Sequence, residues 1–234
     1  MIPEEKIVVA IDSTDKDQIA RTFSALAGHK VWIKIGMEAF YCFGSRIITD
    51  AKKEGFRVFL DLKLHDIPTT VEKSLKVLSK LPIDMINVHA AGGSEMMKRA
   101  ADAVRSTTNP VRPLLIAVTQ LTSTTQEQMN TEQRIEGELI ESVSHYASLA
   151  RNAGLDGVVC SPFEVQSIKL VCGRQFICVT PGIRPAGVAT NDQARVMTPM
   201  DAFRKGSDLM VIGRPIFEAT SPKLALMNIM KGSE

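Results

Sequence analysis

Short runs of apolar, largely β-branched residues recur along the chain, with amphipathic stretches between them. The runs are Ile7–Ile11, Val31–Ile35, Val58–Leu62, Met85–His89, Leu114–Thr119, Gly157–Cys160, Phe176–Thr180 and Leu209–Ile212. Most are apolar without interruption, which is the pattern of strands buried on both faces. The stretches Asp17–Ala27, Thr69–Leu81, Ser94–Ala103 and Gln133–Ala153 repeat their apolar residues at three- and four-residue spacing and predict helices. Val71, Leu75 and Leu78 form one such stripe, with Glu72, Lys73 and Lys76 elsewhere on the helix. Eight strand–helix units within 234 residues predict an α/β protein, a (β/α)8 TIM barrel forming a single domain over residues 1–234. A doubly wound open sheet gives the same alternation. The unit count and the lack of Gly-x-Gly-x-x-Gly after the first run favour the barrel.

In such barrels the chemistry sits at the carboxyl ends of the strands, so the polar residues there are the candidates. Asp12 closes the first strand, Lys34 lies near the end of the second, and Asp61, Lys63 and Asp66 close the third. Asn87 and His89 close the fourth, and Thr119 through Ser123 the fifth. The sixth offers Cys160 and Ser161, the seventh Thr180 through Arg184, and the eighth Gly213 and Arg214. The densest cluster is Asp61-Leu62-Lys63-Leu64-His65-Asp66. Strand alternation puts Asp61 and Lys63 on one face and Leu62 and Leu64 on the other. A lysine flanked by acids is held protonated, which makes Lys63 a candidate proton donor. Gly213-Arg214 follows the eighth strand, where barrels often bind phosphate, and arginine offers a planar fork to an oxyanion. The long polar segment Gly182–Thr198, carrying Arg184, Gln193 and Arg195, reads as a lid over an anionic ligand. Hydroxyls of Thr122 and Ser123 suit either the amide edge of a heterocycle or ordinary loop solvation. His89 reads as a hydrogen-bonded core histidine or a catalytic one.

Composition narrows the class further. With 28 Lys and Arg against 26 Asp and Glu, the net charge of +2 gives no argument for nucleic acid. The cysteines Cys42, Cys160, Cys172 and Cys178 show no metal-ligand spacing and read as reduced packing residues. No apolar stretch approaches the roughly 18 residues of a membrane span, and the amino terminus enters a strand without a signal-peptide pattern. A cytoplasmic enzyme with no membrane partner is expected.

The run Asp61 through Val71 closely resembles the signature of orotidine 5′-phosphate decarboxylases of the bacterial type. The resemblance extends along nearly the whole chain, through Val9–Asp12, Lys34–Gly36, Asn87–Ala90, Val118–Ser123, Thr180–Pro185, Asp192–Arg195 and Ile212–Ile216. It implies conversion of orotidine 5′-phosphate (OMP) to UMP and CO2 in pyrimidine biosynthesis, without metal or cofactor. Lys63 is then the proton donor to C6, Asp61 lies near the departing carboxylate, and Lys34 and Asp66 complete the charge array. The resemblance further implies a homodimer with shared sites, in which Asp66 and Thr70 reach the ribose from the partner subunit. Asp12 and Lys34 would also contact the ribose. Thr122 would sit against the pyrimidine, with Arg184, Gln193, Gly213 and Arg214 around the phosphate.

Three other readings compete. Magnesium-dependent sugar-phosphate decarboxylases and hexulose-phosphate synthases share the strand-three pattern but place an acidic metal ligand where Lys34 stands. A Schiff-base lysine needs a neutral amine, which flanking acids oppose. A non-catalytic phosphate-binding barrel needs the phosphate end and not the charge array.

Overall fold

Eight parallel strands close on themselves in sequence order in a computed structural model of the protein, which describes residues 1–185 and 196–232. They are β1 (Ile7–Ile11), β2 (Trp32–Gly36), β3 (Arg57–Leu64), β4 (Met85–His89), β5 (Leu114–Val118), β6 (Gly157–Val159), β7 (Ile177–Thr180) and β8 (Leu209–Ile212). The last pairs with the first through Ile7↔Met210, Val8↔Val211 and Val9↔Ile212, so the expected (β/α)8 barrel is the observed one. No helix is long and apolar enough to cross a membrane among the described residues.

Alternation sorts each strand's side chains into two cores. Ile7, Val9, Ile11, Ile33, Ile35, Val58 and Leu60 belong to the large outer core between sheet and helices. Val8, Ala10, Trp32, Phe59, Met85, Ile116, Val179, Leu209 and Val211 fill the barrel interior. Continuing two residues along the inward files changes the chemistry from apolar to polar. Trp32 gives way to Lys34, Phe59 to Asp61, and Met85 to Asn87. The apolar residues plug the amino-terminal half; the polar ones open onto the carboxyl-terminal face.

A repeated device ties the amino-terminal rim. Asp84, Asp156 and Asp208 each immediately precede an even-numbered strand. Their main-chain N–H groups donate to the carbonyls of Val58, Leu115 and Cys178 on the preceding strand, at 2.9, 2.8 and 3.0 Å. Their carboxylates accept the N–H of those same residues at 2.7, 2.7 and 2.8 Å. Each carboxylate also meets a cation: Lys52 at 2.9 Å, Arg112 through two 2.8 Å contacts, and Lys169. The first strand pair differs, since Glu4 accepts the Lys30 N–H at 2.8 Å and contacts His29 Nδ1 at 2.9 Å.

Two local expectations need correction. The helix expected over Gln133–Ala153 begins only at Leu139 and runs to Asn152. Arg134 (φ 55°) and Gly137 (φ 90°) adopt left-handed backbone, which no helix tolerates. The even alternation expected along the third strand is also broken. Leu60 faces Ile86 and Leu64 faces Val88, so three residues of β3 lie opposite the single residue Asn87. Lys63, the last of those three, has φ 51°. Leu62 nevertheless joins the outer core and Leu64 packs against it. The cysteines behave as packing residues: Cys160, Cys172 and Cys178 are buried and Cys42 is exposed, all unbridged.

Candidate active site

Four charged side chains at the carboxyl ends of three adjacent strands form one alternating row. Lys34 Nζ lies 3.0 Å from Asp12 Oδ1 and 3.1 Å from Asp61 Oδ2. Asp61 turns its other oxygen, Oδ1, to Lys63 Nζ at 2.9 Å. The row therefore reads Asp12, Lys34, Asp61, Lys63, with signs alternating. Asp61 is 6% exposed and Lys34 8%, so water contributes little to their solvation. A buried charge persists only when paired and hydrogen-bonded, and here each one is.

Gly36 is the reason the row fits. A Cβ at that position would stand 2.5 Å from Asp12 Oδ1 and 3.3 Å from Lys34 Nζ. Any side chain there displaces the Asp12–Lys34 pair, which accounts for glycine directly after Lys34-Ile35.

Asn87, fully buried on β4, completes the network. Its amide donates to Asp61 Oδ1 at 2.7 Å and its carbonyl accepts the Lys63 main-chain N–H at 2.8 Å. Burial by itself pushes the Asp61 carboxyl up. The neighbouring Lys34 and Lys63, with the hydrogen bonds from Lys63 and Asn87, outweigh it and hold the group below its ordinary 3.8. Burial pushes the Lys34 amine down, but Asp61 and Asp12 outweigh it and keep it above 10.5. Both groups are ionised at neutral pH. His89, half-buried, stacks 5.5 Å from His65; burial first, then His65 and Lys63, hold its imidazole below 6.5 against Asp61.

The row lies in the wall of a cavity of about 730 Å3 at the carboxyl-terminal end of the barrel. Asp12, Lys34, Asp61 and Lys63 occupy one side, while Gln120, Thr122 and Ser123 come from the segment after β5. Arg184, Gly213 and Arg214 come from the segments after β7 and β8. Ala10, Phe59, Val118, Val159 and Val211 supply apolar lining. The Arg184 main chain is anchored by a parallel bridge between Ile183 and Met197, with Arg184 N–H donating to the Met197 carbonyl at 3.0 Å. That bridge draws the two ends of the 182–198 segment together.

Eight of the residues singled out from the sequence thus line one cavity: Asp12, Lys34, Asp61, Lys63, Thr122, Arg184, Gly213 and Arg214. Asp66 and Thr70 are exposed beyond it. The Asp66 carboxylate accepts the N–H of Ile67 at 2.7 Å, and no ion pair joins it to Lys63 within the chain. Gln193 and the middle of the expected lid lie outside the described residues. Asn87 is among the strand-end candidates of the sequence, but nothing there gives it a role. Its signal was a lone amide in the otherwise apolar Met85-Ile86-Asn87-Val88.

The arrangement presents an ammonium, 28% exposed at its side chain, to the cavity from a rigid ionic row, with two guanidinium groups elsewhere in the wall. It suits an anionic ligand whose reacting atom develops negative charge beside Lys63. Among the described residues no three His, Cys, Asp or Glu side chains converge as metal ligands.

Comparison with known proteins agrees. The family model described as "Orotidine 5'-phosphate decarboxylase / HUMPS family" matches residues 5–229. The orotidine 5′-phosphate decarboxylase of Streptococcus thermophilus is 51% identical over 227 residues, covering 97% of this chain and 96% of that protein. That of Streptococcus pneumoniae is 52% identical over 224 residues, covering 95% and 94%. The crystal structure of orotidine 5′-phosphate decarboxylase from Lactobacillus acidophilus superposes with a TM-score of 0.85 at 40% identity, covering 99% of both chains. With a match along almost its entire length, the chain belongs to the orotidine 5′-phosphate decarboxylase / HUMPS family.

Proposed function

We propose that the protein decarboxylates OMP to UMP and CO2, a step of pyrimidine biosynthesis, and that Lys63 protonates C6. The observation carrying this reading is the buried row Asp12–Lys34–Asp61–Lys63 in the wall of a cavity with arginines elsewhere in its lining. The match to decarboxylases about half identical in sequence supports the same substrate.

The chemistry follows from the charges. Breaking the bond from C6 to its carboxylate releases neutral CO2 and leaves the electron pair on C6, in the plane of the ring. No adjacent π system accepts that pair. A fixed ammonium at C6 stabilises it electrostatically and then transfers its proton to it, giving UMP and a neutral amine that regains a proton from water. The Asp61 carboxylate, ionised and buried, keeps the ammonium aimed. It also repels a substrate carboxylate, and departure of CO2 relieves that repulsion.

Thr122 would hydrogen-bond the pyrimidine, and Asp12 and Lys34 the ribose. Arg184, Gln193, Gly213 and Arg214 would hold the phosphate, whose binding energy can drive closure of the 182–198 segment. Asp66 and Thr70, exposed beyond the cavity of their own chain, are assigned to the site of a second subunit in a homodimer. The enzyme is expected to be cytoplasmic and to need no cofactor, nucleic acid or membrane.

Lys34 speaks against the magnesium-dependent branch. Its ammonium stands between the carboxylates of Asp12 and Asp61, the place a divalent cation would need. Loss of orotidylate absorbance in the presence of EDTA tests the proposal. Turnover that persists in chelator supports it; no turnover, or turnover only with added magnesium, defeats it.

A further inference from the structure

The bulge of β3 sets a problem that one side chain on β4 answers. Between Leu60↔Ile86 and Leu64↔Val88 the strand ladder is interrupted, and Lys63 takes a left-handed backbone conformation. A residue with a Cβ disfavours this conformation, so the surroundings must hold it there. The Lys63 N–H finds its acceptor in the side-chain carbonyl of Asn87, the one β4 residue opposite the bulge. The other half of the same amide donates to Asp61 Oδ1, the oxygen that also receives Lys63 Nζ.

We infer that Asn87 is a positioning residue for the reaction, its amide clamping the Asp61 carboxylate and the Lys63 main chain in the geometry that aims the Lys63 ammonium into the cavity. The inference rests on the decarboxylase reading above. Chemistry dictates the amide. A main-chain N–H only donates and a carboxylate only accepts, so the partner must offer one acceptor and one donor. Aspartate at 87 would set two carboxylates against each other, and leucine would leave a buried N–H unpaired. Full burial of Asn87 leaves no room for bulk water to substitute.

The test compares Asn87→Ala and Asn87→Asp with the unmodified protein in kcat, KM, equilibrium affinity for UMP, and a crystal structure. A shift of about 1 Å in an aligned group costs on the order of 10²-fold. The alanine variant should therefore lose about 10²-fold in kcat with KM and UMP affinity within about threefold, and the aspartate variant more. The crystal structure of Asn87→Ala should show Lys63 out of its left-handed conformation or its Nζ detached from Asp61. A folded Asn87→Ala with kcat within threefold of the unmodified protein overturns the inference. So does a kcat loss matched by lost UMP affinity, or a structure in which Lys63 is unmoved. If Asn87→Ala does not fold, Asn87→Leu, which is close to asparagine in size and can neither donate nor accept, is judged by the same criteria. Absence of turnover in the unmodified protein would instead defeat the decarboxylase reading itself.

Discussion

The two rims of the barrel use the same residue types for opposite ends. At the amino-terminal rim Asp84, Asp156 and Asp208 each meet a main-chain N–H and a cation, and their side chains remain 19–30% exposed. At the carboxyl-terminal rim Asp61 meets two ammonium groups and an amide while almost wholly buried. The lower aspartates answer the needs of their own strands. The upper one is surrounded by more charge than the fold requires, in a cavity, beside a residue in a strained conformation. Strain and buried charge gathered in one place mark where a protein spends stability on reactivity. An ion pair is thus no guide to role by itself; what else its members touch decides.

The contrast breaks first at Lys63. Lys63→Ala should lower kcat by about 10⁴-fold or more, the upper end of what proton transfer supplies, while UMP still binds. A near-normal rate would remove the upper rim's claim to chemistry. The lower rim should respond in the other currency. Asp84→Asn or Asp208→Asn should leave kcat within about twofold. Each should cost about 1–3 kcal/mol of stability, seen as a lower melting temperature by roughly 2–4 °C per kcal/mol. A large loss of rate without loss of stability would erase the distinction.

Arg214→Ala should act at neither extreme. Removing one charge-assisted contact of about 1.5–3 kcal/mol should raise KM for OMP by about 10–100-fold with little change in melting temperature. An unchanged KM would put the phosphate elsewhere. The smallest effect concerns pH. The depressed Asp61 carboxyl contributes stability that is present above its ordinary 3.8 and lost as pH falls through its lower folded value. The raised Lys34 amine contributes stability that is present below 10.5 and lost as pH rises through its higher folded value. Between about pH 5 and 10 these two groups should stay ionised, and unfolding free energy should show no step that Asp61→Asn removes. Such a step near pH 6 or 7 would mean the row is less strongly coupled than its distances indicate.

Much of the barrel was legible in the chain because both signals are local. Continuous apolar runs mark strands sheathed on both faces, and β1, β4 and β8 begin and end where the runs do. The charge row was legible because Asp61 and Lys63 share one short string and Lys34 and Asp12 close neighbouring strands. What stayed hidden depends on register. Which residue of β4 faces the bulge cannot be read from either strand alone, so Asn87 looked like one more strand-end polar group. The aspartate clamps were hidden for the same reason, although each stands directly before its strand in Ile83-Asp84-Met85, Leu155-Asp156-Gly157 and Ser207-Asp208-Leu209. The helix before Ala153 was overextended because apolar spacing persists through Ile135, while the backbone turns at Arg134 and Gly137.

Those clamps also divide the polypeptide into cassettes. Each joins an odd strand to the even strand after it, so β3 with β4, β5 with β6, and β7 with β8 are bolted pairs. Circularly permuted chains opened after β4 or β6 keep both strands of every bolted pair on one continuous stretch. Chains opened between β3 and β4 or between β5 and β6 ask the two halves of a bolt to find each other from opposite termini. The molecule therefore carries its own preferred sites for being rewired.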